Sequence, residues 1–374
     1  MATPILQFGT SRFLQAHVDL FVHQALENGQ ALGRITVVQT TGSAQSAQRV
    51  AAFNAPGGYP VRIRGRADGA VVEQEHRVTA IEAALQADHD WPAIRALAAG
   101  PVRVIVSNTG DRGYELSPQD GPALLDAATP PRSFPAKLLV LLHRRYLDGA
   151  APVTLYPCEL VANNGSVLRD VVCRLAREWN LDGGFLAYLG SACVWINSLV
   201  DRIVSEPIAP AGAVAEPYAV WVIEAQPNMV LPCTHPQIVV TERLEPYERR
   251  KLLLLNLGHT FLAEQWLRTG RAADETVLQA MSDPALRAQL EALWEEEVLP
   301  VFDALGEADI SRAYLAQVRE RFGNPFLAHR LADIAQNHQQ KKQRRLLPVV
   351  ELARELRLPL AQARLHAALQ RKPA

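Results

Sequence analysis

The chain has 374 residues, 48% of them hydrophobic, which is enough for two cores of ordinary size. Its 38 basic and 39 acidic side chains give a formal charge of -1, so no overall field draws it to nucleic acid or to an anionic membrane. The opening MATPILQFGTSRF lacks the features of a secretory signal, and no run approaches the ~18 apolar residues of a bilayer span, so a cytoplasmic protein without membrane contact is expected.

PILQFG (4–9), RITVVQT (34–40), VRVIVSN (102–108) and PVTLYPC (152–158) are short β-type runs rich in Val and Ile. Between them lie amphipathic stretches such as FLQAHVDLFVHQALENG, whose apolar residues recur at helical spacing before Gly29. This alternation predicts an α/β fold over residues 1–205: a Rossmann-type, doubly wound, mostly parallel sheet covered on both faces. Residues 57–80 read as a hairpin inserted between the second and third parallel strands. EPIAPAGAVAEP (206–217) is expected as a linker and YAVWVIE as one more strand, both within a connecting stretch 206–240.

From residue 241 the β-branched runs give way to Ala, Leu, Glu, Gln and Arg, which predicts a mainly α-helical domain over 241–374. LEPYERRKLLLLNLGHTFLAEQWLRTG has a proline in its first turn and Gly270 after its end; SDPALRAQLEALWEEEV starts with Asp283 as N-cap and Pro284 behind it. The four cysteines, Cys158, Cys173, Cys193 and Cys233, form no C-x-x-C pair, which argues against a zinc knuckle or a disulfide framework and for reduced thiols.

The first strand runs into FGTSRFLQAH, a strand–turn–helix of the kind that presents backbone and a helix N-terminus to a pyrophosphate. Gly9 stands where the G-x-G-x-x-G pattern wants three glycines; Ser11 replaces the second, and Arg12 and Phe13 follow. The second strand ends in Gln39, Thr40, Thr41 and Gly42, with neither the acid that grips the ribose of NAD nor an arginine beside it for a 2′-phosphate. NAD is slightly favoured and NADP stays open. Ser107, Asn108 and Thr109, at the carboxyl edge of the third predicted strand, could serve the nicotinamide or its ribose, although an Asx-turn without a ligand gives the same pattern.

In the stretch PYERRKLLLLNLGH, Glu248, Lys251, Asn256 and His259 fall within an arc of about 140° if the helix is regular. Leucines share that arc. A lysine held among them is easier to deprotonate, as a general base for alcohol oxidation requires. A snorkelling lysine beside a capped core histidine is the structural alternative. Asn163-Asn164-Gly165, leaving the strand PVTLYPC, presents an amide at the sheet's carboxyl edge.

The blocks LQFGTSRFLQAHVD, VSNTGDRG, FPAKLLVLLHRRY, CELVANNG, NSLVDRIV, YAVWVIE, PYERRKLLLLNLGH and NPFLAHRLADIAQNHQQKK together resemble the mannitol dehydrogenase family of polyol-specific long-chain dehydrogenases. The CEL start is more similar to the tagaturonate and fructuronate reductase branch than to the mannitol 2-dehydrogenase branch. The resemblance implies a metal-independent, NAD(P)-dependent interconversion of a secondary alcohol and a ketone on a sugar acid or polyol, in a monomer. It implies Lys251 as general acid/base, Asn164 and Asn256 polarising the carbonyl oxygen, His259 binding a neighbouring hydroxyl, Glu248 relaying the proton and Lys341 binding substrate, with Lys342 leaving the register open by one. Ser11 departs from the family's second glycine and Gln15 from its usual arginine, so pyrophosphate contact is expected to be weaker or shared with Arg12. A coenzyme-binding protein of the same fold with little activity is the alternative. KKQRR (341–345), with no interleaved aromatics, reads as a solvated helix end rather than a nucleic-acid site.

Overall fold

The structure is a computed structural model whose described residues are 3–110 and 112–370. Its strands are β1 Ile5–Phe8, β2 Ile35–Gln39, β3 Tyr59–Ala67, β4 Ala70–Val78, β5 Ile81–Gln86, β6 Val104–Ser107, β7 Val153–Pro157, β8 Cys193–Trp195, β9 Ser198–Asp201, β10 Val204–Pro207, β11 Ala213–Ala215, β12 Val220–Glu224 and β13 Ile238–Thr241. Two units emerge from the contacts. The first holds the residues up to Ile63, Gln74–Ala215 and Ala219–Leu244; the second holds Arg64–Glu73, Glu216–Tyr218 and the chain from Glu245 on.

The first unit is built on a parallel sheet in the order β5-β2-β1-β6-β7-β8, each neighbouring pair parallel. Counted among themselves these strands run 3-2-1-4-5-6, the order of a dinucleotide-binding sheet, with its crevice where the order reverses between β1 and β6. Every residue of β1, β2, β6 and β7 is buried, as expected of strands covered on both faces. Trp91 and Ile94 from helix Ala87–Ala99, and Leu138, Leu139 and Leu142 from helix Phe134–Leu147, fill the same core as Phe8 and Leu155.

Four of the six strands coincide with the predicted β-branched runs. The third, β5, and the last, β8, were not predicted. IEAALQ contains one β-branched residue and five strong helix formers, and CVW is only three residues long, so neither has enough pattern of its own. The predicted hairpin is β3–β4, in a separate sheet ordered β10-β11-β3-β4. Within that sheet lies a correction: the stretch 206–217 is not a free linker, because β10 and β11 pair antiparallel and β11 runs parallel to β3. Its residues Ala213, Val214 and Ala215 are buried there, a fate that Pro/Ala-rich composition conceals. The predicted YAVWVIE strand is β12, central in the sheet β13-β12-β9.

The helix after β1 breaks at His17 (φ -122°, ψ -88°) into Arg12–Ala16 and Val18–Glu27, and Gly29 at φ 68° turns the chain out. In the second unit, the expected helix over the KLLLLNLGH run has three parts. Glu245–Arg250 is α-helical, Lys251–Asn256 is a π-helix, and Leu257–Thr269 is α-helical again up to Gly270 at φ 61°. Asp283 caps the next predicted helix by accepting from the backbone N–H of Ala285 and Leu286. Leu254, Leu262, Trp294, Phe302 and Leu315 form its fully buried core. All four cysteines are free, and no helix among the described residues is long and apolar enough to cross a membrane.

Candidate active site

In the first unit the predicted coenzyme residues converge on the carboxyl edge of β2, β1 and β6. Gly9 sits at φ 116°, and a Cβ there would lie 2.5 Å from the Asn108 carbonyl oxygen, so the turn after β1 can pass the turn after β6 only with glycine. Ser11 caps the helix that follows: its Oγ accepts from the Leu14 N–H and donates to Asn108 Oδ1 at 3.4 Å. The N–H groups of Arg12 and Phe13 lie in the first turn, ahead of any helical acceptor, and the Phe13 ring stacks on His17 at 4.8 Å. Gln15 does not replace an arginine's charge. It ties the turn together, donating to the Thr10 carbonyl at 3.0 Å and accepting from the Gly212 N–H at 2.6 Å.

Gln39 turns back to hold the Thr41 and Ser43 carbonyls, leaving its Oε1 buried without a partner. The half-buried Thr40 hydroxyl, next to it, makes no hydrogen bond among the described residues. Two charged groups that sequence reasoning missed stand close by. Arg49 reaches the Gly9–Thr10 turn, Nε donating to Thr10 Oγ1 at 3.3 Å and Nη2 to Ser46 Oγ at 2.8 Å. Asp88, just beyond the carboxyl end of β5, has Oδ2 3.3 Å from where a Cβ on Gly42 would be, which puts a carboxylate beside the end of β2. Its strand was not predicted, so nothing in the sequence pointed to it.

The nicotinamide candidates are engaged by a buried carboxylate. Ser107 Oγ donates to Glu159 Oε2 at 3.0 Å, and the Thr109 N–H and hydroxyl both donate to Glu159 Oε1 at 3.0 Å. Burial pushes the Glu159 pKa up, against the pull of these donors. Asn108 Nδ2 donates to the Cys158 carbonyl at 2.8 Å. Asp111 of the TGDRG turn lies outside the described residues. Glu159 was visible in the sequence only as part of the CEL block.

Asn164 requires a correction. Its Nδ2 is shared among the carbonyls of Pro157, Glu159 and Ser198 at 2.9–3.2 Å, and its Oδ1 accepts from the N–H groups of Gly165 and Ser198. A primary amide has two protons, so none is left to polarise a substrate carbonyl. Asn164 is a pin at the start of helix Asn164–Glu178, not an oxyanion donor.

In the second unit, Glu248, Lys251, Asn256 and His259 are separated by steps of three, five and three residues. Five residues of a regular α-helix leave two side chains ~140° apart. In a π-helix, bonded from each N–H to the fifth residue back, the fifth residue returns to the same side. The Leu257 N–H does bond the Leu252 carbonyl, so the long step falls on the π-turn and the two short ones on α-turns. Lys251 and Asn256 are half-buried, and the Asn256 amide makes no hydrogen bond among the described residues. His259 is buried, stacked on Phe322 at 4.3 Å and edge-on to His329 at 4.7 Å. Burial, with His329, Arg321, Arg345 and Lys341 near by, lowers its pKa far enough to keep it neutral.

Lys341 and Lys342, the two positions between which the register was left open, differ in burial. Lys342 is fully buried, donating to Glu264 at 3.2 Å and to the Ala368 carbonyl at 2.6 Å. Lys341 is half-buried and, among the described residues, donates only to the Ile334 carbonyl, at 2.8 Å.

A Rossmann-type sheet with a nucleotide turn, and a helical unit with a lysine–amide–imidazole face, define the class: a two-unit nicotinamide-dependent oxidoreductase. Residues 3–232 match the Mannitol dehydrogenase Rossmann domain and residues 243–369 the Mannitol dehydrogenase C-terminal domain. An altronate oxidoreductase of Halalkalibacterium halodurans is 32% identical over 368 residues, covering 92% of this chain and 69% of its own. That of Bacillus subtilis is 32% identical over 374 residues, covering 93% and 74%. Among solved structures, a D-sorbitol dehydrogenase superposes with a TM-score of 0.81 at 21% identity, over 98% of this chain and 79% of its own. Pseudomonas fluorescens mannitol 2-dehydrogenase does so with a TM-score of 0.72 at 20% identity, over 98% and 78%. The chain belongs to the mannitol dehydrogenase family.

Proposed function

We propose that the protein is an NAD-dependent oxidoreductase, acting as a cytoplasmic monomer, that interconverts a secondary alcohol and a ketone on a sugar acid or polyol. The altronate oxidoreductases among its relatives make altronate the first substrate to try. The observation that carries the reading is the π-turn, which turns Lys251 and Asn256 toward one side of a helix otherwise lined with buried leucines.

The nucleotide turn fits a dinucleotide: an obligatory glycine, first-turn N–H groups, a free Thr40 hydroxyl and a carboxylate beside Gly42. A nicotinamide coenzyme held there would supply the hydride acceptor for oxidation and the hydride donor for reduction. Lys251, in its neutral form, takes the proton from the substrate hydroxyl; in the reverse direction its ammonium returns it. Asn256 donates its free amide N–H to the oxygen that carries the developing negative charge. His259, neutral and rigidly stacked, orients an adjacent hydroxyl. Glu248, three residues before Lys251, passes the proton to solvent.

Lys251→Ala should lower kcat at least a hundredfold while the fluorescence titration of NADH stays within threefold of wild type, since a positioned general acid/base is worth ~10²–10⁴-fold. Retention of more than a hundredth of the wild-type rate would remove Lys251 from this role.

A further inference from the structure

Lys341 and Arg345 lie four residues apart on helix His338–Arg345, one above the other. Two like charges in that relation destabilise a helix unless something negative faces them. Neither has an acidic partner among the described residues. Lys341 bonds only a backbone carbonyl, and Arg345 gives one N–H, from Nη1, to Thr260 Oγ1 at 3.1 Å, its other donors finding no acceptor among the described residues. Both are half-buried, and burial lowers both pKa values, with only cations acting on them electrostatically. Of the other charges near by, Arg321 is neutralised by Glu216 at 2.8 Å, and the exposed Asp333 acts on His329.

The place is as informative as the charge. Thr260, which holds Arg345, follows His259 directly and donates its hydroxyl to the Asn256 carbonyl at 2.8 Å. A single hydroxyl therefore fastens the guanidinium to the turn that carries Asn256 and His259. The nitrogens of Arg345 left unbonded, Nε and Nη2, form the planar edge that takes a carboxylate through two parallel hydrogen bonds.

We propose that Arg345, seconded by Lys341, binds the carboxylate of a sugar-acid substrate and so selects sugar acids over neutral polyols. This rests on the oxidoreductase reading above and names the substrate class for it. Thr260 is a positioning residue that fixes the guanidinium rather than touching the substrate.

The test is calorimetric binding to enzyme saturated with NADH, a pairing that cannot react with an alcohol. Three probes are compared: altronate, altritol, which carries CH₂OH in place of the carboxylate, and mannitol 1-phosphate. Wild type should bind altronate at least about thirtyfold more tightly than altritol and more tightly than the phosphate, as charge-assisted hydrogen bonds allow. Arg345→Ala should bring the altronate-to-altritol ratio down toward one; Arg345→Lys should recover part of it, and the exposed neighbour Arg344→Ala should leave it as in wild type. A wild-type ratio below three, a ratio unchanged in Arg345→Ala, or tighter binding of the phosphate overturns the proposal. Turnover with NAD is measured separately. An Arg345-dependent ratio without turnover sinks the oxidoreductase reading and keeps the carboxylate site, whereas turnover without the ratio does the reverse.

Discussion

Asn164 ties three carbonyls and two N–H groups together with one amide, joining the end of β7 to the start of β9. Each buried polar group left without its partner costs ~1–3 kcal/mol, so Asn164→Ala should lose at least ~3 kcal/mol of stability in urea denaturation. A loss of under ~1 kcal/mol would mean that the amide is free for substrate after all. The polar residue was legible in the sequence because it follows a strand. Its task was not, since whether an amide faces substrate or backbone depends on β9, thirty-odd residues further on. Asn256 shows the opposite outcome: its backbone is bonded and its amide is left over.

At the scale of elements, the π-turn is what orders the face carrying Lys251, Asn256 and His259, and Gly258 is what lets it pack. A Cβ on Gly258 would sit 2.5 Å from Trp294 Cζ2 and 3.2 Å from Phe322 Cε2, the ring on which His259 stacks. Gly258→Ala should therefore cost ~1–3 kcal/mol through overpacking. It should also raise the KM for the substrate, because Phe322 must shift beneath His259; tryptophan emission would report the displaced indole. An unchanged KM would mean that His259 does not depend on that stack. The leucine run did announce a buried helix with polar groups on one face. It could not announce the π-turn, because four leucines in succession satisfy either helical period. The parallel strands rich in Val and Ile were likewise readable, whereas β5 was hidden by helix-forming residues and took Asp88 out of view with it.

At the scale of the whole molecule, stability and pH are linked through Asp19, buried in helix Val18–Glu27 with Tyr59 donating to its Oδ2 at 2.7 Å. Desolvation raises its pKa from 3.8 to about 7, outweighing the hydrogen bonds from Tyr59 and Gln7. The folded state therefore holds this proton when the unfolded chain has lost it. Stability contributed by Asp19 is complete below about 3.8 and is lost as pH rises toward about 7. Asp19→Asn, which imitates the protonated form, should remove that part of the pH dependence. Urea midpoints at pH 5 and pH 8 should fall less in the variant than in wild type, and an equal fall would contradict the assignment.

The path of the chain sets a limit on how the molecule can be taken apart. It passes between the two units at 63/64, 73/74, 215/216, 218/219 and 244/245, whereas the two family domains follow one another along the sequence. Arg321, buried on Glu216, illustrates the difference: a fragment beginning at residue 245 would keep the cation and discard its counter-ion. Breaking such a pair by removing one partner costs ~3–5 kcal/mol. Neither half is a portable cassette, and exchange of substrate specificity between relatives has to be done by grafting side chains rather than by swapping segments.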